Sequence, residues 1–341
     1  MNIVVTGGAG FLGVRLARTL LAQGGLSLAG AARQPITRIT LVDRAEPPAD
    51  LRADARVRSV IGDLGALLAD PASAARLLPA DTDVLFHLAA AVSGECEADF
   101  DLGMRSNLDA TRGLLEACRK LGTRPTFVFS SSLAVFGDSP EQPLPAVIQD
   151  TTLPTPLTSY GIQKFIGEQL TADFGRKGFV RGRSVRLMTV SVRPGRPNGA
   201  ASSFFSGMVR EPLAGVKGAC PVPAETPVAL SSPARTIEGL LRAAEASDAD
   251  WGPRIALNLP ALSLTVGEMA AALARVAGQE VAALIDWTPD AAVRRIVGTW
   301  PGRIDAARAR GLGLQADPDF DTTIRSYIRE NPDAVRPPVS R

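Results

Sequence analysis

The first half of the chain alternates short apolar runs with longer amphipathic segments. Between the short runs, apolar residues recur every three or four positions, which predicts helices at 11–23, 104–122 and 159–176. The short runs are rich in β-branched residues and are predicted to be strands: 3–6, 39–43, 57–63, 83–90, 126–132 and 184–192. Strands that are apolar throughout and alternate with helices are typical of an α/β fold with a doubly wound parallel sheet.

This pattern changes after residue 192. Proline and glycine become frequent, strands become rare and shorter helical patterns follow one another. We therefore predict a nucleotide-binding unit formed mainly by 1–192. A smaller mixed region, mainly 193–341, is expected to bind the substrate, with some segments returning to the sheet. The stretch 24–38 shows neither the helical nor the strand pattern of apolar residues and is predicted to be a surface loop.

Composition narrows the possible functions. The 341 residues carry 37 basic and 35 acidic side chains, and the basic ones are scattered, so neither nucleic acid nor an acidic membrane surface is an expected partner. No apolar run approaches the roughly 20 residues that span a bilayer. The opening MNIVVTGG does not resemble a signal peptide, and we expect a cytoplasmic protein.

Cysteine and histidine are too few for a metal or disulfide framework. The chain has three cysteines without paired spacing and a single histidine, so no metal site is predicted. His87 lies within an apolar strand, and we interpret it as a hydrogen-bonded core residue.

A glycine-rich segment, TGGAGFLG, follows the first strand and opens the first helix. Such glycines permit a tight turn, close approach of a pyrophosphate and packing of the helix on the sheet. The free N–H groups of the helix start attract the pyrophosphate. The segment predicts a Rossmann-type dinucleotide site that includes Gly7, Gly10, Phe11, Leu12 and Gly13.

Acidic and small residues continue this predicted site. Asp43 ends the second strand, where a carboxylate accepts hydrogen bonds from the adenosine ribose and repels a 2′-phosphate. NAD is therefore favoured, although the neighbouring Arg44 leaves NADP possible. Asp63 and Leu64 follow the third strand, near the expected adenine. Leu88, Ala89 and Ala90 end the fourth strand and let a dinucleotide lie against the backbone.

Tyr160 and Lys164 share one face of a predicted helix, because they are four residues apart. An ammonium group near a phenol lowers the phenol's pKa, so the tyrosine can act as a general base on a hydroxyl. The fifth strand ends in three serines, at the edge of a parallel sheet where ligands bind. Together these residues predict alcohol–carbonyl redox chemistry.

The motifs TGGAGFLG, LVD, GDL, HLAA, RSNLDAT, SSSLAVFG and YGIQK resemble those of extended short-chain dehydrogenases/reductases, in the NAD-dependent epimerase/dehydratase group. The resemblance implies Ser132, Tyr160 and Lys164 as catalytic residues, with Lys164 and Tyr160 also on the nicotinamide ribose. It further implies cofactor contacts at Asn107, Ser130, Ser131 and Leu187. Relatives often pair through the tyrosine-bearing helix, which implies a homodimer.

The segment after the sixth strand bears on the substrate. SVRPGRPNGAASSFFS, rich in small residues and arginine, is more similar to that of D-erythronate dehydrogenases than to nucleotide-sugar enzymes. The resemblance implies oxidation of the 2-hydroxyl of a small hydroxy acid. Ser132, Tyr160 and Thr189 would then contact the substrate, and Arg193 or Arg196 its carboxylate. A nucleotide-sugar epimerase/dehydratase and a dehydrogenase of another small alcohol, such as L-threonine, are the alternatives.

Overall fold

A computed structural model describes residues 1–195 and 199–336. Its strands are β1 (Asn2–Thr6), β2 (Gly25–Leu26), β3 (Gln34–Pro35), β4 (Arg38–Asp43), β5 (Val57–Ile61), β6 (Val84–His87), β7 (Thr126–Ser132), β8 (Arg181–Leu187), β9 (Thr189–Val190), β10 (Gly218–Ala219), β11 (Pro227–Ser231), β12 (Leu257–Asn258), β13 (Leu262–Thr265) and β14 (Ile285–Asp286).

The α-helices are α1 (Phe11–Gln23), α2 (Ala49–Ala53), α3 (Leu64–Ala69), α4 (Pro71–Leu77), α5 (Ser93–Ala98), α6 (Phe100–Gly103), α7 (Ala110–Leu121), α8 (Ser159–Arg176), α9 (Phe204–Leu213), α10 (Pro233–Glu245), α11 (Asp248–Trp251), α12 (Val266–Ala277), α13 (Gln279–Ala282), α14 (Ala291–Val297), α15 (Ala307–Gly311) and α16 (Phe320–Glu330). A π-helix spans Met104–Asp109, and short 3₁₀ turns span Leu28–Gly30, Leu133–Val135, Ala201–Ser203 and Pro332–Ala334.

Seven strands form one parallel sheet in the order β12-β8-β7-β6-β1-β4-β5. The chain starts in the middle at β1, moves outward through β4 and β5, and returns to the other side of β1 at β6. This reversal is the doubly wound Rossmann arrangement, and the predicted fold class is confirmed. The reversal leaves a crevice at the carboxyl ends of β1 and β6, where ligands of such sheets bind.

The buried strands are apolar because helices cover both faces of the sheet. On one face, Ile3 and Val5 of β1 pack in a core with Leu16 and Leu20 of α1. On the other face, Val4 packs in a core with residues of α3, α4 and α7. The sequence pattern therefore places β1 at the centre of the protein.

Beyond β8 the chain builds a second sheet of three strands, in the order β13-β11-β9. Its core is separate and includes Phe205, Met208, Leu230 and Met269. β12 leaves this region and adds to the edge of the main sheet beside β8. The division into a cofactor unit and a substrate unit stays a prediction.

Three sequence predictions need correction. The run 184–192 is not one strand: β8 ends at Leu187, and β9 belongs to the second sheet. The stretch 24–38 contains the β2–β3 hairpin, with Leu26 and Ile36 buried in the core. The helix predicted at 104–122 begins as a π-helix and becomes α-helical at Ala110. Within the described ranges, no helix has the length and apolar character to cross a membrane.

Candidate active site

A cavity of about 890 Å³ opens at the carboxyl ends of the central strands. Residues from both halves of the chain line it, so the tertiary fold brings most of the predicted site residues together. Those that line it are Gly7, Gly10, Phe11, Leu12, Gly13, Asp43, Asp63, Leu64, Leu88, Ala89, Ala90, Ser130, Ser131, Ser132, Tyr160, Lys164, Leu187, Thr189 and Arg193. Arg196 lies outside the described residues.

The glycine loop has the backbone geometry that its sequence predicts. Gly7 has φ +71°, and a Cβ there would lie 2.8 Å from the backbone nitrogen of Ala89. A Cβ on Gly13 would collide with the carbonyl oxygen of Gly7. No side chain caps the first turn of α1, which begins after Gly10 at the cavity wall. The loop is thus a cradle with free N–H groups, and it fits the pyrophosphate of a dinucleotide.

Asp43 sits beside this cradle and is held by backbone groups. One carboxylate oxygen accepts from the N–H of Ala9 at 3.0 Å, and the other accepts from the N–H of Arg44 at 2.7 Å. The Arg44 guanidinium points to Asp63, with an Nη2–Oδ2 distance of 2.6 Å, and this hydrogen bond lowers the pKa of Asp63. The Asp43 carboxylate is thereby fixed, and the neighbouring Arg44 is already paired with Asp63.

The serine and the tyrosine approach each other because α8 packs very closely on the segment after β7. A Cβ on Gly161 would collide with the carbonyl oxygen of Ala134, and one on Gly167 would lie 2.5 Å from the Phe129 ring. Thr158 caps the helix start by accepting from the N–H of Gly161. In this arrangement Ser132 lies close enough to Tyr160 for its hydroxyl to lower the pKa of the tyrosine.

Lys164 lies one turn further along α8 and is only 3% exposed. Its Nζ donates to the Ser130 carbonyl oxygen at 2.8 Å and lies 5.7 Å from the centroid of the Tyr160 ring. The three predicted catalytic side chains therefore form one cluster at the floor of the cavity.

Asn107 is buried behind the cavity and does not line it, which disagrees with its prediction as a cofactor contact. Its Nδ2 donates to the Ala91 carbonyl oxygen and to Gln163, and its Oδ1 accepts from the Ala91 N–H at 2.8 Å. The side chain thus fastens the loop after β6 to α8. A part for Asn107 in the function of the site stays a prediction.

Residues 3–224 match the NAD dependent epimerase/dehydratase family. The chain belongs to this family. The resemblance predicted from the motifs is confirmed, and family membership supports a nicotinamide cofactor in the cavity.

Relatives in the family match over nearly the whole chain. D-erythronate dehydrogenase of Cupriavidus necator is 52% identical over 332 residues, covering 97% of this chain and 98% of the relative. D-erythronate dehydrogenase of Haemophilus influenzae is 42% identical, covering 96% and 99%. A solved structure described as a nucleoside-diphosphate-sugar epimerase from Agrobacterium tumefaciens is 42% identical, with a TM-score of 0.86 and coverage of 98% and 95%.

Burial sets the protonation of the predicted catalytic pair, Tyr160 and Lys164. Desolvation lowers the pKa of Lys164 to about 8. Tyr160 is open to the cavity on one side but surrounded by protein elsewhere, and desolvation raises its pKa to about 12, against a lowering effect of the Ser132 hydrogen bond. In the protein alone, desolvation outweighs the lowering of the Tyr160 pKa that was predicted for Lys164, whose Nζ donates to the Ser130 carbonyl oxygen.

Arg193 is the described arginine that reaches the cavity from the segment after β9. Its Nη2 donates to the carbonyl oxygen of Ser202 at 3.1 Å, and burial lowers its pKa. Arg235, in contrast, pairs with Glu238 and does not line the cavity. Arg193 therefore gives the cavity a cationic group.

A buried ion pair lies behind the predicted catalytic residues. Glu168 lies one turn after Lys164 on α8, and both of its oxygens accept from the Arg186 guanidinium at 2.8 Å. The same carboxylate accepts from the Ser131 hydroxyl at 2.5 Å. Glu168 and Arg186 are 2% and 3% exposed. The pair ties together α8, β7 and β8 where these elements carry the predicted catalytic groups.

Other cavity residues escaped sequence reasoning. They include Ser93, Arg105, Val190, Ser202 and Trp300. Trp300 comes from the end of the chain, and nothing in its local pattern indicates a site. His87, by contrast, is a core residue as predicted: its ring nitrogens lie 2.7 Å from Thr6 Oγ1 and 2.9 Å from Thr111 Oγ1, and burial lowers its pKa to about 3.

Proposed function

We propose that this protein oxidises the 2-hydroxyl of D-erythronate to 2-oxo-erythronate with NAD. The observation that carries the proposal is the near full-length similarity to two D-erythronate dehydrogenases. The cluster of Ser132, Tyr160 and Lys164 beside the glycine cradle supports it, because alcohol oxidation needs a base next to a nicotinamide site.

The cofactor would be held by the residues that form the cradle. The free N–H groups at the start of α1 would bind the pyrophosphate, and Asp43 the adenosine ribose. Leu88, Ala89 and Leu187 would lie along the dinucleotide, and Tyr160 and Lys164 near the nicotinamide ribose. When bound, NAD supplies the acceptor for the hydrogen that leaves substrate C2 with its electron pair.

The protein's own part in the reaction is to hold the substrate and remove a proton. Ser132 donates a hydrogen bond to the 2-hydroxyl oxygen and positions it beside Tyr160. Tyr160 takes the hydroxyl proton as the C2–O bond becomes a carbonyl. Arg193 binds the carboxylate through paired hydrogen bonds, and Thr189 lies alongside. Binding energy remote from C2 is thereby used for orientation.

A substrate panel tests the proposal. We expect NADH formation from D-erythronate with NAD and none from L-threonine. Absence of turnover on D-erythronate together with turnover on another hydroxy acid would overturn the substrate and leave the reaction class standing.

A nucleotide-sugar epimerase is the second candidate, because the solved relative from Agrobacterium tumefaciens carries that description. An epimerase regenerates its bound NAD in each cycle. Tightly bound NAD in the purified protein and conversion of a UDP-sugar without steady-state NADH would favour it over the dehydrogenase.

The catalytic pair predicts a pH dependence. Tyr160 acts as a base only as the phenolate, and desolvation raises its pKa to about 12, so kcat/KM should increase with pH through the neutral and alkaline range. Lys164, whose pKa is lowered to about 8, is charged below that pH and favours the phenolate there. In Lys164→Met this charge is lost, so kcat/KM should fall at neutral pH, and the difference from the parent should shrink above about pH 8, where Lys164 itself loses its proton. A pH profile of kcat/KM that is identical in both proteins would contradict this assignment.

Asp43 should determine the preference for NAD over NADP. In Asp43→Ser, the ribose loses a charged acceptor and a 2′-phosphate loses a repelling group. We expect the ratio of kcat/KM for NAD to that for NADP to fall about 10- to 100-fold, the usual effect of one charged hydrogen bond. Asp50→Ser removes an exposed carboxylate that pairs with Arg18 outside the cavity, and should leave the ratio unchanged.

Arg193 should determine the affinity for the substrate carboxylate. Arg193→Gln is expected to raise KM for D-erythronate about tenfold or more while the NAD affinity stays the same. Arg235→Gln, which removes an exposed arginine away from the cavity, is the matched control. An unchanged KM in Arg193→Gln would show that another residue binds the substrate carboxylate.

We also propose that the protein is a homodimer paired through the outer face of α8. Ile162 and Ile166 lie one turn apart on that helix and are 46% and 36% exposed, and Phe100 nearby is 61% exposed. A solution mass near that of a single 35.7 kDa chain would contradict this. The cytoplasmic location expected from the sequence stays a prediction.

A further inference from the structure

A second cavity, of about 150 Å³, lies at the opposite edge of the sheet from the catalytic serine. Arg181, which lines it, begins β8 opposite Thr126, whereas Ser132 lies opposite Leu187 at the other end of the same pair of strands. Six residues of strand separate these two ends of the strand pair, a distance of about 20 Å. We call this cavity the arginine pocket; Arg124, Thr171, Arg181, Arg183, Trp251 and Arg254 line it.

The charges in the arginine pocket are unbalanced. Asp248 accepts from three guanidinium groups: Arg183 at 2.6 Å, and Arg124 and Arg181 at 3.2 Å each. Arg254 adds a fourth cation and pairs with no carboxylate among the described residues. One carboxylate thus faces several cations at a small cavity, where an anion would be bound by charge and by hydrogen bonds.

Three polar atoms of the pocket residues also lack partners in the described parts of the chain. They are Thr171 Oγ1, Arg183 Nε and Trp251 Nε1. The three residues are 1%, 4% and 3% exposed, so bulk water does not satisfy these groups. Buried donors without acceptors are costly. An oxyanion in the pocket would supply the acceptors once the Thr171 and Arg183 side chains turn toward it.

We propose that the arginine pocket binds a phosphate group. A buried water molecule would satisfy one or two of the orphaned donors but would leave the positive charge uncompensated. A carboxylate carries a single charge on two oxygens, whereas phosphate offers more oxygens and close to two charges for the excess guanidinium groups. The size of the pocket limits the ligand to inorganic phosphate or the phosphoryl end of a larger ester.

The pocket belongs to the same elements that carry the catalytic groups. Thr171 is on α8, two to three turns after Lys164 and Tyr160, and Arg183 is on β8, which leads to Leu187. Phosphate in the pocket would therefore hold the far ends of α8 and β8 together. Its expected effect is to stabilise the protein rather than to take part in the reaction.

The test is a titration of the NAD-saturated protein with inorganic phosphate at constant ionic strength, followed by calorimetry and by thermal unfolding. Saturation with NAD prevents phosphate from binding at the glycine cradle. We expect saturable binding to one site and an increase in Tm. Absence of saturable binding would overturn the proposal.

Variants show whether the binding is in the pocket. Arg124→Gln/Arg181→Gln removes two partly exposed cations and should weaken phosphate binding about tenfold or more. The matched control is Arg18→Gln/Arg275→Gln, which removes two exposed arginines, each paired with one aspartate elsewhere. Equal weakening of phosphate binding in the two double variants would indicate diffuse electrostatic attraction and would overturn the proposed site. Unchanged binding in Arg124→Gln/Arg181→Gln would indicate an adventitious ion only.

Thr171→Val provides a test that does not remove charge. Its hydroxyl has no partner in the described protein, so the variant should be as stable as the parent without phosphate. With phosphate it should bind several-fold more weakly. A Thr171→Val protein that gains the same Tm from phosphate as the parent would contradict the proposal. Titration with glycerol 3-phosphate distinguishes a phosphate ester from free phosphate as the ligand. If it binds more tightly than inorganic phosphate, the ligand is an ester; if it binds more weakly, the ligand is the free ion.

Discussion

Tyr160→Phe is expected to lower kcat for D-erythronate oxidation about 10³-fold, within the range usual for loss of a general base. The substitution removes only the hydroxyl of a side chain that lines the cavity with Ser132. The ring, its packing beside Lys164 and the glycine cradle remain. NAD binding, measured by calorimetry, should therefore stay close to that of the parent while steady-state NADH formation nearly disappears.

The chain provides a matched control, because it has only two tyrosines. Tyr327 lies on α16, away from the catalytic cavity, and its buried hydroxyl has no partner among the described residues. Tyr327→Phe should thus retain activity and stability. Substantial turnover in Tyr160→Phe would remove the base assignment, and a matching loss in Tyr327→Phe would point to a general effect on folding.

Glu168→Gln is expected to reduce the free energy of unfolding by about 3–5 kcal/mol, the usual cost of leaving one member of a buried ion pair alone. The neutral amide keeps the size of the side chain but leaves the Arg186 guanidinium buried without a counter-charge. It also weakens the support of Ser131. Urea unfolding with a linear extrapolation measures the loss.

The double variant Glu168→Met/Arg186→Met separates charge from packing. Replacing both members by apolar groups removes the unpaired charge, so the double variant should be more stable than Glu168→Gln. Asp50→Asn, which breaks an exposed pair with Arg18, should change stability little. A double variant less stable than Glu168→Gln would show that other hydrogen bonds of this network matter more than its charges.

The sequence analysis was most successful for features that depend on a few neighbouring residues. The glycine loop, Asp43 and the Tyr160–Lys164 spacing belong to single turns of chain, and a parallel sheet brings their strand ends to one edge. Gly161, inside the same motif, explains how closely α8 approaches β7. The doubly wound order of the strands followed from the alternation of strands and helices.

The remaining features depend on contacts between distant segments. Glu168 and Arg186 read as ordinary charged positions until α8 packs on β8. Trp300 reaches the cavity from the last fifth of the chain. The break between β8 and β9 was missed because the apolar pattern continues through Met188 without a polar or glycine signal. Tertiary packing determines each of these three features, and the local hydrophobic pattern of the sequence does not indicate them.

Met188 has a mechanical consequence. The chain passes from the main sheet into the second sheet within one residue there, and it crosses back and forth again between β11, β12 and β13. Backbone hydrogen bonds secure both sides of the crossing, from Ser191 N–H to the Ser231 carbonyl oxygen and from Leu259 N–H to the Arg186 carbonyl oxygen. A hinge needs a few residues free to change φ and ψ. Few such residues are available where the chain crosses between the two sheets. The parts of the cavity that each sheet contributes should therefore move as a single rigid body during turnover.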